Sequence, residues 1–350
     1  MIEKEVSLPK NRKPFNRAPV IPDRGYSAGL PIWAPLPQKH QIPKIIAVGG
    51  GKGGVGKSLV SANVGCELAK AGYRTLVIDL DMGGANLHTY FGQSFPNETL
   101  SKYFHKPRFD FTKLITPSPI SGLAIIAGAC STESNKDNLT QNELARFWKD
   151  LCVAQHSYSI DYIIIDLGAG TQKYTIELFS TAVCGILTVL PEPTSIENAY
   201  VFLRAHLWKL ISNTAYNMGK SRTAEKIQRI IGQTNSSSLN DGYLSKLRSI
   251  YDQFPEEIRQ LGSVVSARTV GVLVNQARGQ EDKDICQSIQ SICQQFFGLQ
   301  ASSLGSLNYD EAAWKSLRNK RLLSKDFPHS IISQRIKTIS QNIIELTNQR

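Results

Sequence analysis

Long apolar runs are missing from this chain of 350 residues. Nothing in it approaches the eighteen or so uninterrupted apolar residues of a membrane span, so none is predicted. The first residues also lack the short apolar core of a secretory leader. Cysteine is sparse: six residues, at 66, 130, 152, 184, 286 and 293, form no C-x-x-C pair and no His/Cys cluster. That scatter argues against a disulfide framework and against a zinc or iron–sulfur site, and it predicts reduced, mostly buried thiols in a cytoplasmic protein. Acids are the scarcer charge, 29 against 40 Lys and Arg, which leaves a net charge of +11. Such an excess invites a nucleic-acid or anionic-membrane reading. Much of it is local, however. Residues 1–44 hold eight Lys/Arg against three acids, and eight of the sixteen prolines. Residues 1–43 therefore read as an extended, disordered, basic tail.

What is present, at 41% hydrophobic residues, suffices for a sizeable core. KIIAVGG, from Lys44, is a short apolar run ending in glycines, as a buried parallel strand does. Leu59, Val60, Val64 and Leu68 then fall at helical spacing, and Gly72 is placed to stop that helix. TLVIDLD (75–81), LAIIAG (123–128), DYIIIDL (161–167), GILTVL (185–190), TVGVLVN (269–275) and LGSLNYD (304–310) read as further strands. Helices are expected around 141–155, 195–211 and 282–297, the last with Ile285, Ile289, Ile292 and Phe296 on one stripe. Strands alternating with helices predict an α/β fold, a doubly wound, mostly parallel sheet with helices on both faces. The expected domain is 44–330, interrupted by a polar helical insertion at about 212–263. Residues 331–350 form a final amphipathic helix with Ile332, Ile336, Ile339, Ile343 and Leu346 on one stripe. Its polar face carries Ser, Gln, Asn and Thr with few bases, which predicts packing against the sheet in place of membrane binding.

GKGGVGKS, from Gly51 to Ser58, fits G-x-x-x-x-G-K-[ST] between a predicted strand and a predicted helix. Backbone N–H groups of Gly51, Gly53, Gly54, Val55 and Gly56 are expected to turn toward phosphate oxygens, with the helix N-terminus adding its positive end. Lys57 is the candidate for the β- and γ-phosphates and Ser58 for Mg²⁺. Asp79 and Asp81 end one predicted strand. Asp166 ends another, IIIDLGAG, in the shape of a Walker-B segment that holds a magnesium water shell. Strand carboxyl ends form the ligand rim of such sheets, so these acids and the loop converge on one edge. ATP with Mg²⁺ is the ligand that this combination suits.

KGGVGKS, DLDMGGANLH and IIIDLGAG together resemble the MinD/ParA family of deviant-Walker ATPases over about residues 44–330. The resemblance implies that Lys52, the second lysine of the loop, crosses to the partner's phosphates in an ATP-bound homodimer. A cation supplied in trans would act there as an arginine finger does. It implies that Asp81 orients the attacking water, that Asp79 and Asp166 are the acids around Mg²⁺, and that Gly83, Gly84 and Asn86 belong to a switch segment. Asn275 corresponds to a residue that reads the adenine edge, with Asp310 assisting; Asn308 stands where proline is frequent. Leu59 follows Ser58 where a hydroxyl is frequent, so a side-chain hydrogen bond to the α-phosphate is not available from it. DMGGANLHTYFG, PEPTSIENAY (191–200) and NYDEAAWKSLRNKRLL (308–323) make the likeness strongest to the MinD-like regulators of flagellar number and placement, the FlhG/FleN type. The D-Q-A-x-x-L-R motif of that type is missing from residues 1–44.

The resemblance thus implies an ATPase switch that positions or counts a cellular structure, with a protein partner in the flagellar or division machinery. Its place is the cytoplasm or the inner face of the cell membrane. The alternative is a ParA-type partition ATPase whose dimer grips DNA through surface cations. The insertion supplies Lys220, Arg222, Lys226, Arg229, Lys246, Arg248 and Arg259, interspersed with acids. A third class, a metabolic or metallocluster enzyme on the same fold, would need a cysteine pairing that Cys286 and Cys293, seven apart, do not offer.

Overall fold

The computed structural model describes residues 43–128, 139–232, 249–255, 269–294 and 299–348. The tail at 1–42, Cys130, Phe296 and much of the expected insertion, with Lys246, Arg248 and Arg259, lie outside the described residues.

The chain runs β1 (Lys44–Gly49), α1 (Lys57–Lys70), β2 (Thr75–Leu80), α2 (Leu87–Tyr90), α3 (Leu100–His105), β3 (Thr116–Pro117) and β4 (Leu123–Ile126). Next come α4 (Gln141–Tyr158), β5 (Tyr162–Leu167), α5 (Lys173–Thr181), β6 (Cys184–Val189), α6 (Pro193–Asn217) and α7 (Ser221–Gly232). β7 (Thr269–Ala277), α8 (Gln280–Ile292), β8 (Gln300–Asn308), α9 (Glu311–Arg318), α10 (Leu323–Asp326) and α11 (Ile331–Asn348) complete it. Eight strands form one sheet in the order β3-β4-β2-β5-β1-β6-β7-β8, parallel except for β3. The doubly wound, mostly parallel sheet expected from the alternation is the fold observed.

Alternation within each strand divides the core in two. On β2, Leu76, Ile78 and Leu80 face one apolar layer with Phe147 of α4, Phe179 of α5 and Phe202 of α6. Val77 faces the other with Val64 and Leu68 of α1 and the isoleucines of α11. A strand covered on both sides needs apolar residues throughout, which is why these segments read as continuous runs. Ile332, Ile336, Ile339 and Ile343 are each at most 3% exposed, so the apolar stripe of α11 is buried in that layer. At about 1.5–3 kcal/mol per fully buried isoleucine, this helix contributes substantially to the fold.

Three boundaries differ from the periodic reading. α6 begins with Pro193 in its first turn and continues to Asn217, because Thr214 and Ala215 remain buried past residue 211. The expected insertion therefore starts inside a core helix, and α7 follows after a turn through Gly219 at φ 70°. β3 is a two-residue antiparallel edge strand carrying Pro117, too short to leave a pattern. β8 begins at Gln300, where polar Ser302 and Ser303 hide its period.

α4 shows local sequence in full control of an end: the Thr140 hydroxyl accepts from Glu143 N, and the Glu143 carboxylate accepts from Thr140 N at 2.8 Å. Of the thiols described, Cys66, Cys184, Cys286 and Cys293 are buried, Cys152 is half-buried, and none of these five forms a disulfide.

Candidate functional site

The loop between β1 and α1 owes its shape to two glycines used differently. Gly56 caps α1 in the left-handed region at φ 93°, and a Cβ there would overlap the Asn275 amide. A Cβ on Gly51 would overlap the carbonyl oxygen of Asn198, so this glycine lets α6 lie against the loop. Asn275, 2% exposed at the end of β7, donates from Nδ2 to the Val55 carbonyl at 2.9 Å. α1 opens here without an acidic residue in its first turn, leaving its N-terminal N–H groups to a phosphate.

The cavity in front of this loop has a volume of about 420 Å³. Gly53, Gly54, Gly56, Lys57, Ser58, Leu59 and Asp81 line it together with Asn275, Gln276, Asn308, Tyr309, Asp310 and Trp314. Lys57 is 7% exposed; burial lowers its pKa while Asp166 and Asp81 hold it up. A buried ammonium facing a rim of backbone donors suits a polyanion, and a phosphate would restore the partners it loses by burial. Leu59, 9% exposed, is an apolar wall.

The acids have distinct geometries. Asp79 and Asp166 lie side by side on β2 and β5, each 1% exposed. Asp79 accepts from Asp81 N at 3.1 Å through one oxygen and from Leu87 N at 3.0 Å through the other. It thus ties down both ends of the segment from Asp81 to Leu87, and burial with Asp166 beside it pushes its pKa well up. Asp166 accepts from the Ser61 hydroxyl at 3.1 Å through Oδ1, while its buried Oδ2 has no hydrogen-bond partner. Burial raises it to about 6, against the opposing pull of the Ser58 hydroxyl and Lys57. An orphaned carboxylate oxygen beside Ser58 fits a hydrated Mg²⁺. Among the described residues no cluster of three His, Cys, Asp or Glu side chains could hold a metal. Asp81 stands on the cavity wall and accepts from Gly83 N at 3.2 Å and Gly84 N at 3.1 Å. Asn86 lines the same cavity.

Lys52 is separate from this group. Its Nζ lies 2.9 Å from Glu192 Oε2 and 3.2 Å from the Thr194 hydroxyl, at the start of α6, with the side chain 39% exposed. It does not line the cavity. Asp310 caps α9, accepting from Ala312 N at 2.8 Å, and meets Ile332 N at 3.4 Å.

Sequence reasoning assigned no role to Glu192, Tyr90, Gln276 or Trp314. Glu192 had a signal, since PEPTSIENAY begins a helix and lysine 52 needed a counter-charge. Tyr90 lines the cavity with its phenol raised to about 12 by burial and the neighbouring Asp166 and Asp79, and no local pattern marks it.

The family described as the CobQ/CobB/MinD/ParA nucleotide binding domain matches residues 46–323. The antiactivator FleN of Pseudomonas aeruginosa is 24% identical over 303 residues, covering 86% of this chain and 86% of that protein. The flagellum site-determining protein YlxH of Helicobacter pylori is 30% identical over 255 residues, 66% of this chain and 84% of that one. The solved septum site-determining protein MinD of Pyrococcus horikoshii, complexed with Mg-ADP, superposes with a TM-score of 0.55 at 16% identity. That comparison covers 88% of this chain and 98% of the other, and shows the fold.

Proposed function

Because the chain belongs to the CobQ/CobB/MinD/ParA nucleotide-binding family and is a MinD/ParA-type ATPase, we propose that it is a dimerising switch driven by ATP hydrolysis. One observation carries this reading: the two lysines of a single loop are parted. Lys57 is buried on the wall of its own cavity, whereas Lys52 sits outside that cavity, half-exposed and held by Glu192. A lysine in that position is available to a second subunit. ATP, bound by the loop, is hydrolysed when a water oxygen bonds to the γ-phosphorus and the bond to the ADP oxygen breaks. Asp81 orients that water, and Lys57 with the trans Lys52 balances the charge on the transferring group. Mg²⁺, held by Ser58 and through water by Asp166, would supply further neutralisation.

The process follows the relatives' names. YlxH is named for determining a flagellum site and MinD for a septum site, so control of where or how many such structures form is the proposed output. A protein partner of that machinery would read the closed dimer. Among the described residues no helix is long and apolar enough to cross a membrane, and the apolar stripe of α11 is buried. Turnover is slow without the partner, because a switch needs a long-lived ATP state. The test is the concentration dependence of Mg²⁺-dependent ATP hydrolysis: a dimeric enzyme gains activity per molecule as protein concentration rises, and a constant value contradicts the reading.

One observation favours a second reading. Arg222, Lys226 and Arg229 are exposed on α7 at helical spacing, a stripe that suits phosphate backbones, although Glu225 is exposed beside them. Retention on DNA that requires ATP and collapses with salt would select this partition-type function.

A further inference from the structure

A second cavity, of about 210 Å³, shares no lining residue with the one in front of the phosphate loop. It lies where the end of α2, the loop between β3 and β4 and the turn from α9 into α10 meet. Phe91 and Leu322, 4% and 3% exposed, give it an apolar floor, with Pro119 and Ile120 beside them. Its charged lining is Lys320, Arg321, Lys325 and Asp326, all exposed. Among the described residues none of these four is in an ion pair. Three cations and one carboxylate leave the wall with an unneutralised charge of +2.

Lys320 holds its place against its own backbone preference. At the end of α9, Arg321 N donates to the Ser316 carbonyl at 2.8 Å and Lys320 N to the Leu317 carbonyl at 3.0 Å, with Lys320 at φ 52°. Glycine is the usual residue at this helix-ending position, because a Cβ is strained there. On its other side the Lys320 carbonyl rests on Gly92, just past α2, where an added Cβ would stand 2.8 Å from that oxygen. These are all backbone contacts, which glycine at 320 would make without strain. The lysine side chain contributes none of them and lines the cavity instead. Strained residues held in this way concentrate at ligand clamps and switch regions.

We propose that this cavity is an anion site that takes the phosphate of a small monoester, of the size of glycerol phosphate. A phosphate monoester carries close to two negative charges at neutral pH, which matches the lining. Lys320 and Lys325 supply point charges, and the Arg321 guanidinium can pair with two phosphate oxygens at once. Asp326 can accept from a hydroxyl of the organic part, and the floor covers its short carbon stem. The volume lies below the roughly 300 Å³ at which pockets for larger organic ligands begin.

Titration calorimetry on the full chain tests this, with excess Mg-ADP filling the nucleotide cavity. Wild type should bind one equivalent of glycerol 3-phosphate, and glycerol should give no binding heat. Lys320→Gly/Arg321→Ala removes two cations and puts glycine where it is favoured, so it should melt close to the wild-type temperature. It should lose roughly tenfold or more in affinity for glycerol 3-phosphate. Arg335→Ala/Lys337→Ala, which takes two exposed cations from α11, should bind as wild type does. Retention on phosphatidate vesicles, lost in the first double variant, would assign the ester to a lipid headgroup; its absence assigns it to a soluble molecule. A wild type without saturable binding overturns the proposal, as does a folded Lys320→Gly/Arg321→Ala that binds like wild type. An equal loss in the two double variants also overturns it, because the effect would then be overall charge.

Discussion

The ammonium of Lys52 lies 2.9 Å from the carboxylate of Glu192, with Thr194 accepting a second hydrogen bond from it at 3.2 Å. The phosphate loop and the start of α6 are thereby joined across the mouth of the fold. Any intersubunit contact by Lys52 must first break this pair. Both side chains are well exposed, so the pair contributes less than about 1 kcal/mol to stability. Glu192→Gln should therefore leave the melting temperature within a degree or two of wild type. By freeing Lys52 it should lower the protein concentration at which ATP drives dimerisation, as read by sedimentation velocity.

Lys57 is the proposed phosphate ligand within its own chain. Lys57→Ala removes the buried cation of the cavity and is expected to weaken ATP binding by roughly 100-fold or more. Fluorescence titration with a labelled nucleotide measures this. Retained affinity would mean that the backbone donors alone hold the phosphates.

The paired carboxylates give a pH signature in nucleotide-free protein. Burial raises both Asp79 and Asp166, the latter to about 6. A folded-state value above the unfolded one favours the protonated, folded form, so the contribution of Asp166 is complete below about pH 4 and disappears as pH rises through about 6. Asp166→Asn removes one charge of the pair. At pH 7 it should stabilise the empty protein by on the order of 1–3 kcal/mol and flatten the slope between pH 4 and 6, while abolishing Mg²⁺-dependent hydrolysis. Thermal melts of both proteins across that range check the sign. An unchanged slope would mean that Asp166 does not carry the effect.

Ile336 separates core packing from membrane docking for α11. It is 1% exposed, so Ile336→Ala should cost about 2–5 kcal/mol in denaturant unfolding. A helix reserved for a lipid surface would tolerate the change with little loss.

The sheet and the phosphate loop were legible because each is fixed by local physics. Strands covered on both faces must be continuous apolar runs, and a loop that wraps phosphates must be rich in glycine. IIIDL and GKGGVGKS state these requirements outright. What stayed hidden depends on contacts distant in sequence. Glu192 reaches Lys52 over 140 residues, and Gly51 is required by Asn198 as well as by any phosphate. The engagement of Asn275 with Val55 spans 220 residues, so its candidacy as base reader could not be weighed against its hold on the loop. Gln276 owes its position to a register shift, which composition does not encode. The stop of α6 was misjudged because polar Ser212 and Asn213 interrupt an apolar face that continues through Thr214 and Ala215.

Asp81 lies on the cavity wall and holds Gly83 and Gly84, so Asp81→Ala should preserve ATP binding while suppressing hydrolysis, leaving an accumulated ATP dimer. The most direct test uses that background. Light scattering of Asp81→Ala with Mg-ATP should report twice the monomer mass. Lys52→Ala/Asp81→Ala, shown by titration to bind ATP equally well, should remain at the monomer mass. A double variant that dimerises like its parent would contradict a role for Lys52 across the interface.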